Sequence, residues 1–277
     1  MILRWVLLLG VVLLVLAIGM RARLEPSVRV LPQPAMALRA MVAMYLALPG
    51  FVLLLLGLVP LQAPVGAVLL AFTISPVLPP WARKATALGG RSGAVIGLQL
   101  LSTVVALLVI PLMIRLVDGL FAVPVRLDPL MVEGVLLVTV AAPLALGAGL
   151  AQLAPAAAPR LAALADRLGG VLLLLGAASL LVLQGPAMVA VLGHGTLLLI
   201  VAVVAFGLLV GDLLGGPDPV NRAVIASATV HRHPAVALVL ASGAAAQSEP
   251  GPLGAVLLYL LVSLLLPIPY ERWRRQA

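Results

Sequence analysis

The sequence predicts an all-α integral membrane protein, and three observations carry that prediction. Of its 277 residues 64% are hydrophobic and 9% charged, with mean hydropathy +1.26. A water-soluble domain of this length cannot cover so much apolar surface, so the bilayer is its solvent. Apolar stretches of about 20 residues recur, the length at which a rise of about 1.5 Å per residue crosses about 30 Å of hydrocarbon. The connections are short and rich in Pro, Gly or Arg, as in RARLEPSVRVLPQP, LAPAAAPR and GGPDP. None is long enough to carry a soluble domain, so 1–277 reads as a single transmembrane domain.

Nine stretches qualify. The first, 2–20, has the apolar run of a signal peptide, but Arg21, Arg23 and Arg29 follow it without a small-x-small cleavage pattern, so it reads as a retained helix. Next come 36–59 and 64–89, the latter interrupted by Pro76, Pro79 and Pro80. The span 92–115 carries Gln99, Ser102 and Thr103. Then follow 129–153, 160–183 and 187–213, the last containing His194. The span 219–243 is interrupted at His231, Arg232, His233 and Pro234. The ninth, 251–269, precedes a basic tail, 271–277.

Charge sets the orientation. With the N-terminus outside, the inner connections and tail hold 11 of the 17 Lys and Arg, as the positive-inside rule requires. The net charge of +8 therefore reports topology, and no aromatic-interleaved basic patch indicates nucleic acid. The expected setting is a bacterial inner membrane, with the C-terminus cytoplasmic and the chain a monomer or homodimer. Zero cysteines exclude disulfides, thiol chemistry and Cys-ligated metal.

The two interrupted spans carry the functional signal. Proline removes a backbone donor and clashes with the preceding turn, so neither span is an unbroken helix. Pro80 suits the first turn of a half-helix starting near Trp81. Carbonyls freed at this depth must be buried in protein or line a wet cavity. GAVIGLQLLS (93–102) and GAVLLYLLVS (254–263) align without gaps, each directly after an interrupted span. Five helices separate the starts of those spans, so the copies enter from opposite faces, an inverted repeat of 1–117 and 129–270.

Arg83, Lys84, His231, Arg232 and His233 cluster at the breaks, and Lys84 is the chain's single lysine. Apart from Asp218 at an edge, neither interrupted span contains an acid, so these cations are expected to lack a carboxylate partner. A bound organic anion would satisfy them. So would freed carbonyls of the opposite break, and the two roles are compatible. Thr73, Ser75, Gln99, Ser102, Thr103, Ser227 and Thr229 are the supporting polar groups. Asp212, Asp218 and Arg222 read as a solvated interfacial group.

These segments resemble the bile acid:sodium symporter family and its bacterial relatives. The stretch 64–117, ending GLQLLSTVVALLVIPLMIRL, resembles that family's broken fourth helix and the Ser/Thr-bearing helix after it. ASATVHRHPAVALVLA resembles its ninth helix. With nine spans the chain is similar to members lacking the first of ten. The resemblance implies a core domain holding two crossed helices, a panel domain that moves against it, and alternating access. Ser102 and Thr103 match the family's polar pair. Where the family has its sodium-binding Glu this chain has Ala228 or Thr229, and Arg232-His233 stands in place of Gln-Asn. Arg83 and Lys84, in PPWARK, replace part of the Ser/Thr-Asn stretch.

The expected function is thus secondary transport of a small organic anion, with no cofactor and with proton coupling or none. His231 or His233, with an ordinary pKa of about 6.5, would carry the proton. A Na⁺-coupled symporter of bile-acid-like anions is the alternative. An intramembrane enzyme or sensor is the competing class, with Ser75 as nucleophile and His231 as base. No G-x-S-x-G, acidic orienter or metal-ligand spacing supports the enzyme.

Overall fold

The computed structural model describes residues 2–24, 34–59, 63–121, 134, 137–193, 195–244 and 252–276. His194 and the start of the predicted span 129–153 lie outside them. Among the described residues the chain is helical, with no strand. Its elements are α1 (Ile2–Leu24), α2 (Pro34–Leu58), α3 (Ala63–Ile74), α4 (Trp81–Ala87), α5 (Ser92–Phe121) and α6 (Leu137–Leu153). There follow α7 (Ala158–Ala190), α8 (Thr196–Leu214), α9 (Pro219–Val230), α10 (Pro234–Ala244), α11 (Leu253–Leu265) and α12 (Pro267–Gln276).

Among the described residues, five helical stretches are apolar and long enough to cross a membrane: Pro34–Leu58, Ser92–Leu116, Ala158–Ala190, Thr196–Leu214 and Leu253–Arg275. The predicted span 64–89 is divided into α3 and α4, and 219–243 into α9 and α10. Residues 271–277, predicted to be a cytoplasmic tail, begin inside α12, where Glu271 is only 5% exposed.

The helices form two packed groups. In one, α1, α6 and α7 meet through Ala17, Met20, Ala151, Ala158, Ala162 and Ala165. Side chains this small let backbones approach, which is how helices associate where lipid removes the hydrophobic drive. The other group holds both broken pairs with α2, α5, α8 and α11 around a large apolar core, to which Val11 and Val15 of α1 and Val140 of α6 also contribute. Leu146, Leu174, Val182, Leu198 and Leu209 face outward and exposed, as a lipid-facing surface requires.

Within the second group, Gly207, Gly211 and Gly215 make a stripe on α8 against Val230, Ala226 and Arg222 of α9. A Cβ on Gly211 would press into the backbone of Ala226, which cannot rotate aside. Gly211→Ile is therefore expected to cost about 1–3 kcal/mol or more by overpacking. Gly50→Ala, where nothing lies within 4 Å, should be nearly neutral. Thermal melting of both variants in detergent checks this; equal melting temperatures would refute it.

Candidate site at the helix crossing

α3 ends where its backbone loses donors. Pro76 has no N–H, and the hydroxyls of Thr73 and Ser75 turn back to the carbonyls of Leu70 and Ala71, both at 2.7 Å. α9 ends at Val230, four residues before Pro234, which disfavours helical geometry in the residue before it. The two breaks then satisfy each other. Leu78 N donates to the His231 carbonyl at 3.0 Å, and His233 N donates to the Pro76 carbonyl at 2.8 Å. Val77 and Arg232 thus form an antiparallel bridge, the local solution for extended backbone shielded from lipid.

Polar side chains of α5 complete the first break. Ser102 Oγ accepts from Val77 N at 3.3 Å, and Gln99 Nε2 donates to the carbonyls of Leu78 and Pro79 at 3.4 and 3.3 Å. Thr103 Oγ1 donates to the Gln99 carbonyl at 3.1 Å, and Thr229 Oγ1 to Ile225 at 2.8 Å. Both are bonds back along their own helices.

Arg232 is 1% exposed and lies on backbone. Its Nε donates to the Phe72 carbonyl at 3.2 Å, and its Nη2 to Thr73 at 2.6 Å and to Met44 at 3.4 Å. Its guanidinium lies 4.6 Å from the Tyr45 ring centroid, a favourable cation–π placement. Phe72 and Thr73 belong to the last turn of α3, where unpaired carbonyls and the helix dipole favour a cation. Of the two roles open for Arg232, this geometry is that of a fixed cation on freed carbonyls.

Lys84 contradicts the expectation of cations without a carboxylate. Its Nζ is 2.9 Å from Glu271 Oε1 and 2.9 Å from His231 Nε2. His231 Nδ1 lies 2.8 Å from the Ser227 carbonyl. That carbonyl can only accept, so Nδ1 carries the proton and Nε2 accepts from Lys84. Ser227 Oγ also donates to Glu271 Oε1 at 3.4 Å and accepts from Trp81 Nε1 at 3.2 Å.

Arg83 leaves the crossing altogether. Neighbouring helical residues do not share a face, and Arg83 is directed onto α7, over Gly170 and 3.7 Å from Asp166. Asp166 also holds Arg21 of α1 at 3.2 Å. Asp212 departs from its expected solvated role too, being paired with Arg274, Tyr270 and Arg222. Asp218 caps α9 through Val220 N at 2.9 Å.

His233 keeps both ring nitrogens buried and unpartnered among the described residues, as is Gln99 Oε1. Both residues line a narrow cavity of about 10 Å³, floored by Pro76 and Pro79 and walled by Val15 and Ile18 of α1. That volume is about one water. On the other side of Ile18 lies a cleft of about 690 Å³ between α1, α7, α4 and α5, lined by Arg21 and Arg83. Toward the opposite end of α7, Gly254 of α11 sits against the Ala187 backbone.

The enzyme constellation does not come together: Ser75 is bound to Ala71, while His231 is held by Ser227 and Lys84. No group of three metal-binding side chains occurs among the described residues. Sequence reasoning missed Glu271, Asp166 and Tyr45. Glu271, the lone acid in YERWRRQA, carried a faint signal. No family model matches this chain, and no curated protein is similar to it in sequence.

Proposed function

We propose that this chain is a secondary transporter of a small organic anion, working by alternating access without sodium. The observation that carries the reading is the run of voids between the two helix groups. An arginine-lined cleft and the small cavity at the unpartnered His233 and Gln99 atoms, beside the crossed breaks, share Ile18 in their walls. Buried polar atoms without partners are costly, and an anion or its waters would satisfy them. Arg232 on the α3 carbonyls supports the absence of sodium, because a second cation there would be repelled.

In this reading the chain crosses an inner membrane nine times, as two inverted repeats, with α1, α6 and α7 as the panel and the broken helices in the core. The family resemblance supports that arrangement. So does the match between Ser102, bonded to the Gln99 carbonyl at 2.7 Å, and Ser263, bonded to Leu260 at 3.0 Å. Arg21, Arg83, Lys84, Arg222 and Arg274 take their acidic partners at the end where the cleft opens. Under the positive-inside rule that end is cytoplasmic.

Uptake of radiolabelled pyruvate and ethanesulfonate into proteoliposomes tests the proposal. Uptake is expected to be the same with Na⁺ or choline outside. Arg83→Ala should raise KM several-fold while barely changing the melting temperature, since a half-exposed ion pair contributes about 1 kcal/mol or less. Sodium-stimulated uptake would overturn the assignment of coupling, and turnover to a new product would favour an enzyme.

A further inference from the structure

Glu271, Lys84 and His231 form a line of titratable groups that the anion path does not use. Glu271 and His231 are buried, and Lys84 keeps 25% of its side chain exposed at the end where the cleft opens. An ion pair that only fastened α12 to α4 would need two members. Here the ammonium is shared with a histidine whose other nitrogen is tied to Ser227, and Ser227 also reaches the carboxylate. We propose that this cluster is the proton-carrying site of the transporter, with Glu271 the group that gains and loses the proton. The inference rests on the transport reading above.

The balance is one proton for one anion. An ion pair of Lys84 with Glu271, beside a His231 protonated on Nδ1 alone, gives the cluster no net charge. A proton arriving past Lys84 adds to Glu271 Oε1. The carboxyl becomes neutral, Lys84 keeps its bond to His231 Nε2, and the cluster holds one positive charge. An anion beside His233, two residues along the same break, brings one negative charge. Each then raises the affinity for the other by the same factor. On α12 the other charged groups are Arg272 and Arg275, which are exposed, and Arg274. Arg274 is bound with Tyr270 to Asp212 of α8, which also pairs with Arg222 of α9. That second group sets two guanidiniums against one carboxylate and does not touch Glu271, whose partners are Lys84 and Ser227.

The test uses proteoliposomes containing a pH-sensitive dye, with ethanesulfonate as the probe because it cannot carry its own proton, and pyruvate as a second. In the wild type, anion entry should acidify the lumen, and an outside-acid gradient should drive accumulation. Glu271→Gln keeps an oxygen for Lys84. It should retain anion exchange while losing gradient-driven accumulation by about tenfold or more. Gradient-driven accumulation intact in Glu271→Gln overturns the proposal. Wild-type exchange without proton movement overturns it as well, whether or not the variant assembles. If the wild type exchanges neither probe, the transport reading itself falls.

Discussion

Arg232→Ala is expected to yield a protein that barely holds together. The substitution takes the Arg232 donors from the buried carbonyls of Thr73 and Met44, and one of two donors from Phe72, which keeps Ser75 N at 3.2 Å. At about 1–3 kcal/mol for each of the two unsatisfied groups, the loss is roughly 2 kcal/mol or more. Arg232→Lys keeps the charge but replaces a planar fork with one compact ammonium, which cannot reach all three oxygens in the same geometry. Its melting temperature should lie between alanine and wild type. Added NaCl, but not choline chloride, should raise the melting temperature of Arg232→Ala, because the vacated carbonyls can accept a small cation. The wild type should respond to neither salt. An alanine variant that melts like the wild type would mean that Arg232 does not hold these carbonyls.

Cross-linking Ala187→Cys to Gly254→Cys is expected to abolish transport. The chain has no cysteine of its own, so the engineered pair is the sole thiol chemistry. Gly254 lies against the Ala187 backbone toward one end of α7, whereas Asp166 meets Arg83 toward the other. The 21 residues between Asp166 and Ala187 correspond to about 30 Å of helix. If the two helix groups rock about the crossing, the Gly254 contact must open when the cleft closes. Oxidation should stop ethanesulfonate uptake, and reductant should restore it. Gly254→Cys alone presses a Cβ against the Ala187 carbonyl and should melt lower than Ala187→Cys, but the uptake each single variant retains should be indifferent to both treatments. Full uptake by the cross-linked protein would show that this contact never opens.

The broken helices were legible in the sequence because their cause is local. Pro76, Pro79 and Pro80 crowd one short stretch, where single Pro111 and Pro186 are tolerated inside α5 and α7, and Pro234 follows His231, Arg232 and His233, which are too costly for lipid. The roles of α5 were half legible. Gln99, Ser102 and Thr103 share a helix face by spacing, yet nothing in the sequence says that Ser102 and Gln99 bond the backbone of the first break. Arg83 and Lys84 misled for the same reason: adjacent in the chain, they point to different neighbours.

Composition and periodicity determined that this chain is helical and compatible with a membrane, and where its helices break. Both follow from interactions within a few residues and from the solvent the side chains require. Only the tertiary structure decided which groups meet. It set Arg232 on the carbonyls of α2 and α3, brought Glu271 from the far end of the chain to Lys84, and sent Arg83 to Asp166. Charge pairing acts through space at a few ångströms, and 187 residues of chain between Lys84 and Glu271 leave no trace of it in the sequence.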